Sequence, residues 1–80
     1  MEAFETRENG FWITFGNGNT VSVQFGVGNY SDMGKTTAEV AAWDKNGDWL
    51  HPKGWNWHDD VQGRQSPEDV ARFIAATACM

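Results

Sequence analysis

Residues 11–25 read FWITFGNGNTVSVQF, two apolar alternations around a glycine–asparagine cluster, and the way they pair decides the fold. Strand side chains repeat every two residues. Phe11, Ile13 and Phe15 therefore share one face of a first strand, and Val21, Val23 and Phe25 share one face of a second. Trp12 and Thr14, then Thr20, Ser22 and Gln24, fall on the other side. A two-residue turn at Asn17-Gly18 sets Phe15 opposite Thr20 and Ile13 opposite Ser22, which mixes the faces. A one-residue change of register flips a whole strand, so the pattern selects an odd loop of three or five residues with all the apolar side chains on one side. Gly18 then takes the left-handed position of a type I turn followed by a G1 bulge. The remaining face presents Trp12 among hydroxyls and an amide, and is the side that can meet water or a partner.

Residues 37–50 repeat the device. TAEVAAWD (37–44) has helix-forming alanine and glutamate, but it is short and Asn46-Gly47 follows directly. A second hairpin results, with Lys45-Asn46-Gly47 as its loop and Gly47 left-handed. Val40, Ala42 and Leu50 share the buried side, and Trp43 and Trp49 form a cross-strand pair on the other. Residues 1–9 are polar; Ala3-Phe4-Glu5-Thr6 either adds an edge strand or frays. Residues 26–36 and 51–60 lack periodicity and read as loops, and Val61–Gln65 reads as a short last strand. Ser66 then opens a helix over 67–78: a good N-cap, Pro67 at the first helical position, and Glu68 and Asp69 at the positive helix end. Asp69 stands where a capping box places its acid. Val70, Phe73, Ile74 and Thr77 form the stripe that faces the sheet.

The expected fold is α+β: an antiparallel sheet of three to five strands, built from two hairpins, with one C-terminal helix on one face. The helix is expected to cover Phe11, Ile13, Phe15, Val21, Val23 and Phe25, leaving an open face with Trp12, Trp43 and Trp49. The 80 residues make one domain.

Composition narrows the function. The net charge is −5 with acids spread along the chain, and the absence of a basic patch argues against direct nucleic-acid binding. The single cysteine, Cys79, forms no internal disulfide. The acidic N-terminus lacks an apolar leader core, and no segment approaches a membrane span, so a cytoplasmic setting is expected, in which the Asn29-Tyr30-Ser31 sequon is accidental. Five tryptophans exceed what so small a core can enclose, and tryptophan is enriched at interface hot spots.

No constellation supplies a reaction. Gly34-Lys35-Thr36 resembles the end of a phosphate-binding loop, but the glycine that motif requires is Asn29 here. Asp44, Asn46 and Asp48 alternate like the first ligands of an EF-hand, yet its glycine falls on Trp49 and its closing glutamate on Trp55. His51, His58, Asp59, Asp60 and Cys79 match no zinc spacing, and no nucleophile motif is present. A non-enzymatic protein without cofactor or metal is expected.

Phe11–Phe15, Thr20–Gly26, Gly28-Asn29-Tyr30, Ala38–Asp44 with the Asn46-Gly47 turn, and the Ser66–Val70 helix start together resemble small accessory proteins encoded by bacteriophages. The resemblance spans about residues 11–78 and carries no catalytic motif. Some small acidic phage proteins of this kind are anti-CRISPR proteins, which bind a CRISPR effector and block its access to DNA or its nuclease. The resemblance implies a cytoplasmic inhibitor in the infected bacterium, a monomer or weak dimer, whose partner is a bacterial CRISPR effector protein or complex, with no direct nucleic-acid or membrane contact. Carboxylates then meet a basic phosphate-binding surface and indoles anchor the contact, giving Trp12, Trp43, Asp44, Asp48, Trp49, Asp59 and Asp60 as partner-binding residues. Three alternatives remain open at this level: a structural or housekeeping phage protein, a module that stacks peptide or sugar on exposed indoles, and a small enzyme or metal protein.

Overall fold

In a computed structural model of the chain, residues 2–25 and 37–80 are described. The loop expected over 26–36, with Gly34-Lys35-Thr36 and the Asn29-Tyr30-Ser31 sequon, lies outside the described residues.

The first hairpin joins β2 (Gly10–Thr14) to β3 (Thr20–Gln24). Phe11 faces Val23 and Ile13 faces Val21, the register that keeps the apolar side chains together. The Phe15 N–H donates to Asn19 O (2.8 Å), the Gly18 N–H to Phe15 O (2.9 Å), and Gly18 has φ 90°. This is the three-residue loop with a left-handed closing glycine. The second hairpin starts from β4 (Ala38–Trp43). Its Gly47 has φ 84°, Asp44 and Asp48 close the loop through a 2.9 Å main-chain bond, and the returning strand is reduced to a Trp43–Trp49 bridge.

Residues 3–7 form a strand, β1 (Ala3–Arg7), settling the choice between edge strand and fraying. With β5 (Gln62–Gln65) the sheet has five antiparallel strands in the order β1-β2-β3-β4-β5. One close approach and one bulge shape it. A Cβ on Gly10 would stand 2.0 Å from Val23 O, so β2 can begin only with glycine. β5 carries a bulge, since Ala38 and Val40 face Gln65 and Gln62, and Arg64 takes φ 58° to accommodate the extra residue.

The helix α1 (Pro67–Ala78) starts at Ser66 with a complete capping box: Ser66 Oγ accepts from the Asp69 N–H, and Asp69 Oδ2 accepts from the Ser66 N–H, each at 3.1 Å. Its position corrects one expectation. The helix meets the sheet at β3, β4 and β5, so the enclosed core is Val21, Val23, Ala38, Val40, Ala42 and Phe73. Phe11, Ile13, Phe15 and Phe25 are only half-buried at its flank. The reason is steric: Ala38 and Ala42 on β4 let a helix approach closely, and the loop carrying Trp55 and Trp57 fills the space beside Phe73. Their rings lie 5.2 and 6.0 Å from Phe73, and their indole N–H groups donate to Gln65 Oε1 (2.6 Å) and Pro52 O (2.8 Å).

Candidate functional site: the indole face of the sheet

Alternation along β2 and β4 sends Trp12 and Trp43 to the face opposite the helix. Trp43 and Trp49 form a non-hydrogen-bonded cross-strand pair, the arrangement that brings facing side chains closest. Their rings stand edge-to-face at 5.8 Å. Trp12 reaches across β3 to meet Trp43 edge-to-face at 4.9 Å, a geometry that the quadrupole of aromatic rings favours. The result is one continuous indole cluster spanning three strands. It roofs the centre of the face, so Thr20 and Ser22, which alternation alone places toward water, are buried at 7% exposure each. Trp12 and Trp43 are half-buried, while Trp49 is 48% exposed.

A shallow groove of about 510 Å³ runs over this cluster, with Arg7, Gln24, Glu39 and Val61 at its margins. The Arg7 guanidinium lies 3.6 Å from the centre of the Trp12 ring, a cation–π contact, and also pairs with Glu5. A second depression of about 380 Å³ lies between the two hairpin turns, lined by Thr14, Thr20, Trp43, Asp44 and Lys45 among others.

The acids divide. Asp44 adjoins Trp43 in the second depression, and its Oδ1 accepts the N–H groups of Asn46 (2.8 Å) and Asp48 (3.0 Å), so this carboxylate also holds the turn. Asp48 is exposed on the same turn. Asp59 and Asp60 belong to the following loop. Asp59 Oδ1 accepts the Val61 N–H (2.8 Å), and Asp60 lies 2.7 Å from His51 Nε2. They stand next in the chain to Val61 at the groove margin, but neither lines the groove over the indoles. The carboxylate at the groove itself is Glu39.

Arg7 and Glu39 were not among the residues that sequence reasoning singled out. The signal for Arg7 is available only once β1 is paired with β2, because that pairing sets Glu5 opposite Trp12 and Arg7 at the next position on the same face. Among the described residues no cluster of three or more histidine, cysteine or acidic side chains could hold a metal. No helix among them is long and apolar enough to cross a membrane. Comparison with protein-family models, with curated proteins and with solved structures finds no match to this chain.

Proposed function

We propose that this chain is a protein-binding inhibitor that docks through the indole face of its sheet. The observation that carries the proposal is the edge-to-face cluster Trp12–Trp43–Trp49 on the face opposite the helix. The cluster roofs Thr20 and Ser22 yet leaves Trp49 48% exposed at its outer end, and tryptophan is enriched among the desolvated anchors of protein interfaces. The interlocked rings also favour a protein partner over a sugar, since one face of Trp12 is taken by Arg7 and the three rings stand nearly perpendicular to their neighbours, so they offer no flat shared platform for a sugar.

The partner class follows from charge. A net charge of −5 steers the chain toward a basic surface, and a basic surface of high density is what a nucleic-acid-handling complex presents. Together with the resemblance to phage accessory proteins, this supports inhibition of a bacterial CRISPR effector, with Trp43 at the centre of the contact and Asp44, Asp48, Asp59 and Asp60 at its rim. The test is phage plaquing on strains with active CRISPR systems. Wild-type protein is expected to restore plaquing against at least one system, Trp43→Ala to abolish the effect, and Asp59/Asp60→Lys to weaken it and its salt dependence. No restoration by wild type in any system, with no effector subunit recovered on the immobilised protein, would refute the inhibitor.

A further inference from the structure

Among the described strands the sheet has two edges, and they are not equivalent. β5 has four residues and carries the bulge at Arg64, which makes its edge irregular. β1 has five residues in unbroken register with β2, contains no proline and is exposed throughout, with Phe4 at 83%. Main-chain bonding alternates along an antiparallel ladder. Because the Phe15 N–H donates to Asn19, the odd-numbered residues of β2 bond toward β3 and the even-numbered ones toward β1. Ala3, Glu5 and Arg7 are their partners, so Phe4 and Thr6 turn their N–H and C=O groups outward. Such an unpaired row is a template for another strand.

We propose that β1 pairs antiparallel with β1 of a second copy, about a two-fold axis at Thr6. Charge selects both the occupant and the register. An axis at Glu5 would set two glutamates directly opposite each other, which is destabilising. An axis at Phe4 stacks the two Phe4 rings but leaves both Arg7 guanidinium groups unmatched. An axis at Thr6 places each Glu5 opposite the second copy's Arg7, in non-hydrogen-bonded pairs where side chains stand closest. Glu5 and Arg7 already pair within one chain, so the four groups form one network, and each Arg7 lies over its own Trp12. The two five-stranded sheets become continuous, both helices lie on one face, and both indole grooves lie side by side on the other. The interface is isologous and closes as a dimer. It stands independently of what the grooves bind.

Sedimentation equilibrium at high micromolar concentration tests this. Wild type is expected at about 18 kDa, twice the 9.0 kDa chain. Thr6→Pro removes an outward N–H without touching the β1–β2 bonds, which an edge strand tolerates, and is expected to sediment as a monomer. Glu5→Arg is also expected to be monomeric, and the swap Glu5→Arg/Arg7→Glu to restore the dimer. Circular dichroism checks that each variant is folded, and the charge pair carries the test if Thr6→Pro loses the fold. Wild type found only at the single-chain mass, a Thr6→Pro dimer with folded sheet, or a swap that fails to restore association would each overturn the proposal.

Discussion

Asn17 illustrates how much one side chain can carry. It sits in the first hairpin loop, where its Oδ1 accepts the Asn19 N–H (2.9 Å). Its Nδ2 group reaches the far end of the helix and lies 3.4, 3.1 and 3.1 Å from the carbonyl oxygens of Thr77, Ala78 and Met80. Asn19 Nδ2 adds a bond to Thr77 O at 3.2 Å. The helix needs these donors. It ends at Cys79 in a right-handed conformation with no basic residue in its last turn, so neither a glycine motif nor a cation satisfies its final carbonyls. Asn17→Ala is expected to lower stability by about 1–2 kcal/mol through the lost bonds. Asn17→Asp should cost at least as much although it keeps the Oδ1 acceptor, because a carboxylate then faces carbonyl oxygens at the negative helix end. Thermal melts of both variants check this, and a wild-type melting temperature for Asn17→Asp would show that the amide is not the cap.

At the scale of the element, the helix start is the most self-contained unit in the chain. The Arg72 side chain bonded to Asp69 and the Ser66 main-chain and side-chain groups hold the Asp69 carboxyl below the usual aspartate range. A carboxyl with a depressed folded pKa binds its proton more readily in the unfolded chain, so its contribution is full above the ordinary aspartate value and is lost as the pH falls through the depressed one. Urea titrations across that acid range should show stability falling in wild type, with this limb flattened in Asp69→Asn. At neutral pH Ser66→Ala should cost about 1 kcal/mol, since the Asp69 N–H loses its partner. An unchanged urea midpoint would remove Ser66 from the capping role.

At the scale of the whole molecule, the two faces of the sheet are buried by different means. The helix and the Trp55–Trp57 loop seal one, and the indole cluster roofs the other. Val23 is completely enclosed on the helix side, and Ser22, its neighbour in the chain, lies beneath the indoles at 7% exposure, accepting a bond from Gln24 Nε2 at 3.2 Å. Val23→Asp is expected to prevent folding, because the total stability of a small domain, roughly 5–15 kcal/mol, cannot absorb an unpaired charge in the core. Alternation alone assigns Ser22 to the wet side and implies that Ser22→Asp is harmless. The indole roof implies instead a folded protein weakened by about 1–3 kcal/mol. Circular dichroism and thermal melts separate the two, and a Ser22→Asp variant as stable as wild type would mean that the roof opens freely to water.

Local geometry is legible in the residues alone: both hairpin registers, the left-handed glycines at positions 18 and 47, the last strand and the helix with its cap. Each of these is set by side-chain periodicity or by a bond spanning a few residues, so the information lies within the segment. The sequence also placed Trp12, Trp43 and Trp49 on one face, because alternation is a local property. Tertiary packing alone settles that the indole face is roofed over Thr20 and Ser22 rather than open, that the helix rests on β3–β5, and that Trp55 and Trp57 pack beside Phe73. All five indoles have the same chemistry, and what sorts them is whether the fold brings an acceptor within reach of the ring N–H, as Gln65 and Pro52 do. The Asn17 cap joins residues about sixty positions apart, and the stacking of Arg7 on Trp12 exists only once β1 has found its register. Contacts of that separation depend on where whole elements come to rest, and no short window of sequence holds that information.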